Sequence, residues 1–338
     1  MNLLLVKTSS FGDLLHTLPA LHDLARLRPD VNIHWVTEEA FSQIPTWSKN
    51  VGTIIPIAWR RWRKHPWKAW HSGEPQTFLS QLRHQPFDLI LDAQGLLKSA
   101  LITRLAQGER HGFDRTSARE PLASLFYHHT HHISTKLHAV TRLRQLFAQT
   151  LDYPEPADPP DFGLNPKQFI TQTPTRPYLV FLHGTTWKSK HWPESHWQKL
   201  AQYAAHAGLE IVLPWGNKTE QIRARQIAQN IPDACHVTDR LTLDQLAGTL
   251  AGAHAVIATD TGPAHLAAAL SIPTVALYGP TPTERIGIIG HAATRLIGTC
   301  PQAPCRRRTC PLTDNPDQCM RAITPEQTWE SVQKVSRP

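Results

Sequence analysis

The sequence predicts an α/β protein made of two Rossmann-like domains whose parallel sheets face a central cleft. Two observations carry this expectation. In each half, short apolar runs alternate with amphipathic helical stretches, the pattern of parallel βαβ units. A proline-rich segment separates the halves, and the alternation restarts after it. At 338 residues there is length for two cores, and a 41% hydrophobic, 18% charged composition excludes a disordered chain.

The first half opens with a strand at residues 3–7. A helix follows over 14–27, with Leu14, Leu18, Leu21 and Leu24 on one face and a kink expected at Pro19. Strands follow at 32–37 and 52–57, a helix at 79–84, and the buried strand F-D-L-I-L-D at 87–92. From 151 to 177 the run L-D-Y-P-E-P-A-D-P-P-D-F-G, then T-P-T-R-P, is too rich in proline for a regular element and reads as a linker. The second half then gives strands at 178–183, 210–214, 255–259 and 274–278. Its helices are expected at 193–207, 220–229, 243–251 and from Pro263. The expected domains are therefore 1–150 and 178–324, with a closing helix at 325–338 that packs back on the first domain. Two such domains across a cleft suggest the architecture called GT-B.

Lys and Arg number 35 against 27 Asp and Glu, a net charge of +8 that favours acidic partners. The 20 histidines show no metal-ligand spacing and read as ordinary surface or core residues. Met1-Asn2 leads straight into an apolar strand, so no secretory leader is expected. The most apolar long stretch, 251–270, carries His254, Asp260 and His265 and does not read as a membrane span. A cytoplasmic protein with at most peripheral membrane contact is expected.

Ligands of open α/β sheets sit at the carboxyl ends of the strands, and the informative residues fall there. After the strand at 255–259 come Asp260, Thr261, Gly262 and Pro263, then a helix with His265 in its first turn. Gly262 lets a backbone approach closely, Pro263 suits a first helical turn, and the turn's amides favour an anion such as a diphosphate. Taken alone, this is equally a tight strand-to-helix turn with Asp260 as N-cap. After the strand at 178–183, Thr185, Thr186 and Lys190 make a plausible phosphate clamp, or else a solvated basic loop. Glu220, beyond Pro214-Trp215-Gly216, is placed to hold ribose hydroxyls. Three strand tips with compatible chemistry point to a nucleotide-activated substrate. Neither G-x-G-x-x-G nor a P-loop is present, and D-x-D is absent too, so a metal-bridged diphosphate is not called for.

The first strand runs into Lys7-Thr8-Ser9-Ser10-Phe11-Gly12-Asp13. There Asp13 can take a proton from an acceptor hydroxyl or simply cap the next helix. In W-R-R-W-R-K at 59–64, followed by Trp67, Lys68 and Trp70, basic groups alternate with tryptophans. That pattern suits nucleic acid, an acidic lipid surface or a solvated helix. Asp92-Ala93-Gln94-Gly95, Lys98 and Ala118-Arg119-Glu120-Pro121 add polar groups.

Together, V-K-T-S-S-F-G-D-L-L-H-T-L-P-A-L, R-R-W-R-K, D-A-Q-G-L-L-K-S-A, A-R-E-P-L-A-S-L-F-Y, H-W-P-E-S-H-W, L-P-W-G and D-T-G-P-A-H-L-A-A-A-L resemble the lipopolysaccharide heptosyltransferases of glycosyltransferase family 9. R-R-W-R-K with A-R-E-P points to members that add the first heptose. The resemblance implies an inverting transfer from ADP-heptose to the first Kdo of Kdo2-lipid A, with no cofactor or metal required. It implies Asp13 as general base. Thr185, Thr186, Lys190, Glu220, Asp260, Thr261, Gly262 and His265 would hold ADP-heptose, and Ser10, Arg60, Arg63, Lys64 and Arg119 the acceptor. Peripheral contact with the cytoplasmic face of the inner membrane follows, and nucleic acid is not expected. Alternatives are a transferase of the same family acting on a later core acceptor, or a non-catalytic basic module binding nucleic acid or membrane. Cys300, Cys305, Cys310 and Cys319, spaced C-x4-C-x4-C-x8-C, depart from the resemblance. They form a candidate metal cluster without C-x2-C knuckles, or else reduced thiols in a compact tail.

Overall fold

Leu3, Leu4, Leu5 and Val6 are all fully buried, as a strand covered by helices on both faces must be. They belong to β1 (Asn2–Val6), which is joined by β2 (Asn32–Glu38), β3 (Val51–Ile57), β4 (Leu89–Asp92), β5 (Glu109–Phe113) and β6 (His129–His131). All pairings in this sheet are parallel, in the order β3-β2-β1-β4-β5-β6. The second sheet contains β7 (Tyr178–Leu182), β8 (Glu210–Leu213), β9 (Cys235–Val237), β10 (Ala255–Thr259), β11 (Thr274–Tyr278) and β12 (Ala293–Ile297). It is parallel too, in the order β12-β11-β10-β7-β8-β9. Each sheet follows the doubly wound order, reversing between its first and fourth strands, and such a reversal opens a crevice at the strand ends. The two switch points are β1/β4 and β7/β10.

The computed structural model describes residues 1–170, 175–229, 231–314 and 316–336. The chain divides into two compact units, Met1–Leu164 and Asn165–Pro338, so the expected α/β class with two Rossmann-like units is the one observed. No described helix is long and apolar enough to cross a membrane.

Two expectations change. The first helix is two, Phe11–Leu15 and Leu18–Leu27, with Pro19 in the opening turn of the second. A missing N–H has no consequence there, so proline marks a start rather than a kink. The early part of the proposed linker is packed, not free. Tyr153 and Phe162 are buried, and Arg144 donates to the Asp158 carbonyl at 2.8 Å. Residues 171–174 of that stretch lie outside the described residues. The closing helix, Pro325–Val335, packs on the second unit's own core. Val332 joins the core of Trp192, Trp197 and Leu213, Trp329 stacks on Tyr203, and the Tyr203 hydroxyl donates to Glu326 at 2.6 Å.

Candidate functional site

In the first unit, the tips of β1 and β4 are tied together by side chains. The Gln94 amide oxygen accepts from the Thr8 N–H and hydroxyl at 2.8 and 2.9 Å, and its NH2 donates to the Ser9 carbonyl at 2.9 Å. Asp92, fully buried, accepts from the Gln94 and Gly95 N–H groups at 2.8 and 3.0 Å and from the Tyr127 hydroxyl at 2.7 Å. Burial pushes its carboxyl above the usual range despite these donors. Gly95 has φ of +67°, and its carbonyl accepts the Glu120 N–H at 3.0 Å. That bond pins A-R-E-P beside the strand tips.

Asp13 sits on this platform, partly buried, three residues into the Phe11–Leu15 helix. Its carboxylate accepts from the Ser10 N–H at 2.8 Å and the Ser10 hydroxyl at 2.9 Å. The capping role is therefore real, and it fixes the carboxylate at the strand tip. Lys7 is buried and donates to the Ala93 carbonyl at 2.8 Å, and Lys98 donates to the Ser9 hydroxyl at 3.0 Å. Burial lowers both ammonium pKa values, and Asp13 is among the charges that pull them back up. Arg119 acts on both lysines with the opposite sign, and Arg60 on Lys98, so these groups share one electrostatic neighbourhood.

Glu38, at the end of β2, holds the basic segment. Its carboxylate accepts the Arg60 N–H at 2.9 Å, and burial raises its pKa. Arg60 also lies over the Phe41 ring at 5.3 Å. Arg61 is spent on Glu39 and Glu74, and Trp62 donates to Glu74 at 2.8 Å. Those bonds anchor helix Trp59–Lys64 and leave Arg63 and Lys64 exposed on its surface. Beside Arg63, the residues Trp59, Trp62, Pro66, Ala69 and Trp70 line a hollow of about 320 Å³. Trp67 and Trp70 are 79% and 69% exposed, so this is no packed tryptophan face.

In the second unit, β7 and β10 end side by side. The Lys190 ammonium lies 2.6 Å from Asp260, at 12% and 7% side-chain exposure, and over the Trp187 ring at 4.3 Å. The Thr185 hydroxyl donates to the Asp260 carbonyl at 3.2 Å, and Thr186 beside it is exposed. Thr261 is the N-cap of helix Gly262–Ala269 without a side-chain cap bond, so the turn's amides are not covered from that side. His265 is buried in that helix. From the helix Lys218–Ala228 that follows β8, Glu220 reaches under the β7 tip. Its carboxylate accepts the Gly216 N–H at 2.7 Å, and a Cβ on Gly184 would lie 2.7 Å from its Cδ.

The sequence-predicted residues thus gather in two groups, each inside its own unit. Sequence reasoning overlooked Glu38 and Tyr127, because an acid at a strand end and a tyrosine far along the chain carry no local signal. It also missed that the arginine run of the tail belongs here. Ser189 donates to the Arg307 carbonyl at 2.5 Å, its N–H to the Arg308 carbonyl at 3.2 Å, and the Arg308 guanidinium faces Trp187. The four tail cysteines do not meet as one group of ligand atoms, although Cys300 and Cys305 both lie near enough to Cys319 to act on its thiol. Cys319 is buried and hydrogen-bonds with Cys300, and burial raises its thiol to about 12. Among the described residues, the donors that do meet are Glu109, His111 and His129.

The model of glycosyltransferase family 9 (heptosyltransferase) matches residues 76–315. The chain is 49% identical over 311 residues to lipopolysaccharide heptosyltransferase 1 of Pseudomonas aeruginosa, covering 92% of this chain and 87% of that protein. With lipopolysaccharide heptosyltransferase 1 of Escherichia coli K12 it shares 45% over 305 residues, 89% of this chain and 94% of the relative. The solved structure of E. coli heptosyltransferase WaaC with ADP superposes with a TM-score of 0.88 at 41% identity, over 99% of this chain and 100% of that one.

Proposed function

The chain belongs to glycosyltransferase family 9 and transfers heptose in the synthesis of the lipopolysaccharide inner core; from that premise we propose that it takes the heptose from ADP-heptose and places it on the first Kdo of Kdo2-lipid A, with Asp13 as general base. The observation that carries the proposal is Asp13 itself. It is a carboxylate fixed by Ser10 at a β1/β4 switch point, close enough to Lys7 and Lys98 to shift both.

In this reading Asp13 takes the proton of the acceptor hydroxyl as its oxygen attacks the anomeric carbon. The bond to the diphosphate breaks on the opposite face, ADP leaves, and the configuration inverts. Lys190, Thr185, Thr186 and the N-terminal turn Thr261-Gly262 meet the diphosphate charge, with Asp260 holding Lys190 and His265 supporting the turn. Glu220 engages the ribose. These groups supply the charge a leaving diphosphate needs, so the proposal calls on no resident metal or cofactor.

Ser10, Arg60, Arg63, Lys64 and Arg119 bind the acidic Kdo and lipid A phosphates. The exposed Trp67 and Trp70 rest at the cytoplasmic face of the inner membrane beside that acceptor.

The test is Asp13→Asn, which keeps an oxygen for the Ser10 N–H but cannot accept a proton. ADP release with ADP-heptose and Kdo2-lipid A should fall on the order of 10²- to 10⁴-fold. ADP binding and the thermal midpoint should stay near wild type. Turnover within a few-fold of wild type would remove Asp13 as the base. Activity on an already heptosylated acceptor, with none on Kdo2-lipid A, would reassign the acceptor instead.

A further inference from the structure

On the outer side of the first sheet, β5 reads E-R-H-G-F and β6 reads H-T-H. Side chains alternate along a strand, so Glu109 and His111 share one face of β5, and His129 and His131 share one face of β6. The parallel register sets His111 against His129, which brings the four onto the same face. One ligand atom each from Glu109, His111 and His129 lies within 4.8 Å of the others. His129 Nε2 is 2.7 Å from the Glu109 carboxylate, and His111 Nδ1 is 3.1 Å from His131 Nε2. The His111 ring stacks between those of His129 and His131, at 4.6 and 5.4 Å. Arg110, the one cation on β5, is drawn off by the Phe126 carbonyl and the His128 ring.

From this juxtaposition we propose that Glu109, His111 and His129, with His131 alongside, form a binding site for a divalent transition metal of the zinc class. Imidazole nitrogens with one carboxylate are the donor set that such ions take, at bonds of about 2.0–2.2 Å. Ligand atoms around a tetrahedral ion of that size stand roughly 3.3 Å apart. The Glu109–His129 pair, at 2.7 Å, has to open by about 0.6 Å and the wider separations, within 4.8 Å, have to close, and the exposed Glu109 and His129 side chains have the room to move. Ligands on adjacent parallel strands are separated in sequence by a whole crossover, which no short motif reveals.

Such an ion would clasp β6, the edge strand, to β5. Between these strands lies the loop that carries Arg119 and Tyr127, so the site is a staple for that loop and not part of the transfer chemistry. The tail cysteines could also take zinc, and the test must separate the two. The intact chain is titrated with zinc against a chromophoric chelator and with cobalt by absorption spectroscopy. Wild type should bind a metal ion whose cobalt spectrum has visible ligand-field bands without thiolate charge-transfer absorption. His111→Gln/His129→Gln should lose that ion. Glu109→Gln, a change at an exposed side chain that leaves the fold intact, should weaken it roughly ten-fold or more. Zinc should also raise the thermal midpoint of wild type and not of the double variant. Equal binding by wild type and both variants, or a cobalt spectrum dominated by thiolate, would overturn the proposal.

Discussion

Alanine differs from glycine by one methyl group, and residue 184 has no room for it: the added carbon would stand 2.7 Å from Cδ and 2.9 Å from Oε1 of Glu220. The obstacle is the end of a flexible side chain, so Gly184→Ala should still fold. Glu220 would have to swing away and release the Gly216 N–H that it now holds at 2.7 Å. A cost of about 1 kcal/mol in urea unfolding is expected for that lost bond. If Glu220 engages the ribose, ADP affinity measured by calorimetry should fall roughly ten-fold, the equivalent of about 1.4 kcal/mol. An unchanged affinity would take Glu220 out of the donor site. At this scale the sequence revealed residue types and strand tips, but not partners. Nothing local says that Lys190 pairs with Asp260, seventy positions on, or that Glu220 lies under Gly184. Asp13 was legible as two possible roles, capping and chemistry, and the geometry makes the first the means of positioning it for the proposed second.

Helices Leu18–Leu27 and Ala139–Leu151 are locked by one buried ion pair. Arg144 reaches Asp23 at 2.6 and 3.1 Å, with both side chains under a tenth exposed, and its remaining nitrogen donates to the Asp158 carbonyl. Asp23→Ala removes one partner and leaves a guanidinium buried, which costs far more than the pair contributes against an apolar substitute. Its unfolding free energy should drop by about 3–5 kcal/mol. A loss below about 1 kcal/mol would mean that water reaches Arg144 and that the helices are held by apolar packing alone. The elements most visible in the sequence are those whose burial is two-sided: β1, β4, β7, β10 and β11, each a continuous apolar run. The edge strands β6 and β9, with E-R-H-G-F beside β6, are short or polar and gave no such signal, because an outer strand needs little apolar surface. Helix Ala139–Leu151 was overlooked for a related reason. Its apolar face is interrupted by Arg144, whose charge is satisfied by a residue 121 positions away.

Over the whole molecule, burial acts on the histidines in one direction. His34, His111, His131, His183, His191 and His196 all have lowered pKa values, with burial as the first cause, down to about 3 for His183 and about 4 for His111 and His191. The unfolded chain binds protons at these rings near the ordinary value of 6.5, while the folded chain resists until well below it. Stability is therefore full above about pH 7 and falls as the pH drops from 6.5 towards 4, levelling once the folded rings protonate. The buried carboxyls Glu38 and Asp92 oppose this, since raised pKa values make the folded state the better proton acceptor. Six rings outweigh them in the upper part of the window. At more acid pH, Asp114 adds a further loss. Burial pushes its carboxyl up, but hydrogen bonds from Ser117, His132 and Thr116 hold it well below the usual range. The thermal midpoint, measured in chelator at pH 7.5, 6.0 and 5.0, should thus decline steadily, by roughly 2–4 °C for each kcal/mol lost. His111→Gln should flatten part of that slope, because glutamine has no proton to gain. A midpoint that holds level or rises between pH 7.5 and 5.0 would show that the carboxyls dominate and that the histidine interior is open to water.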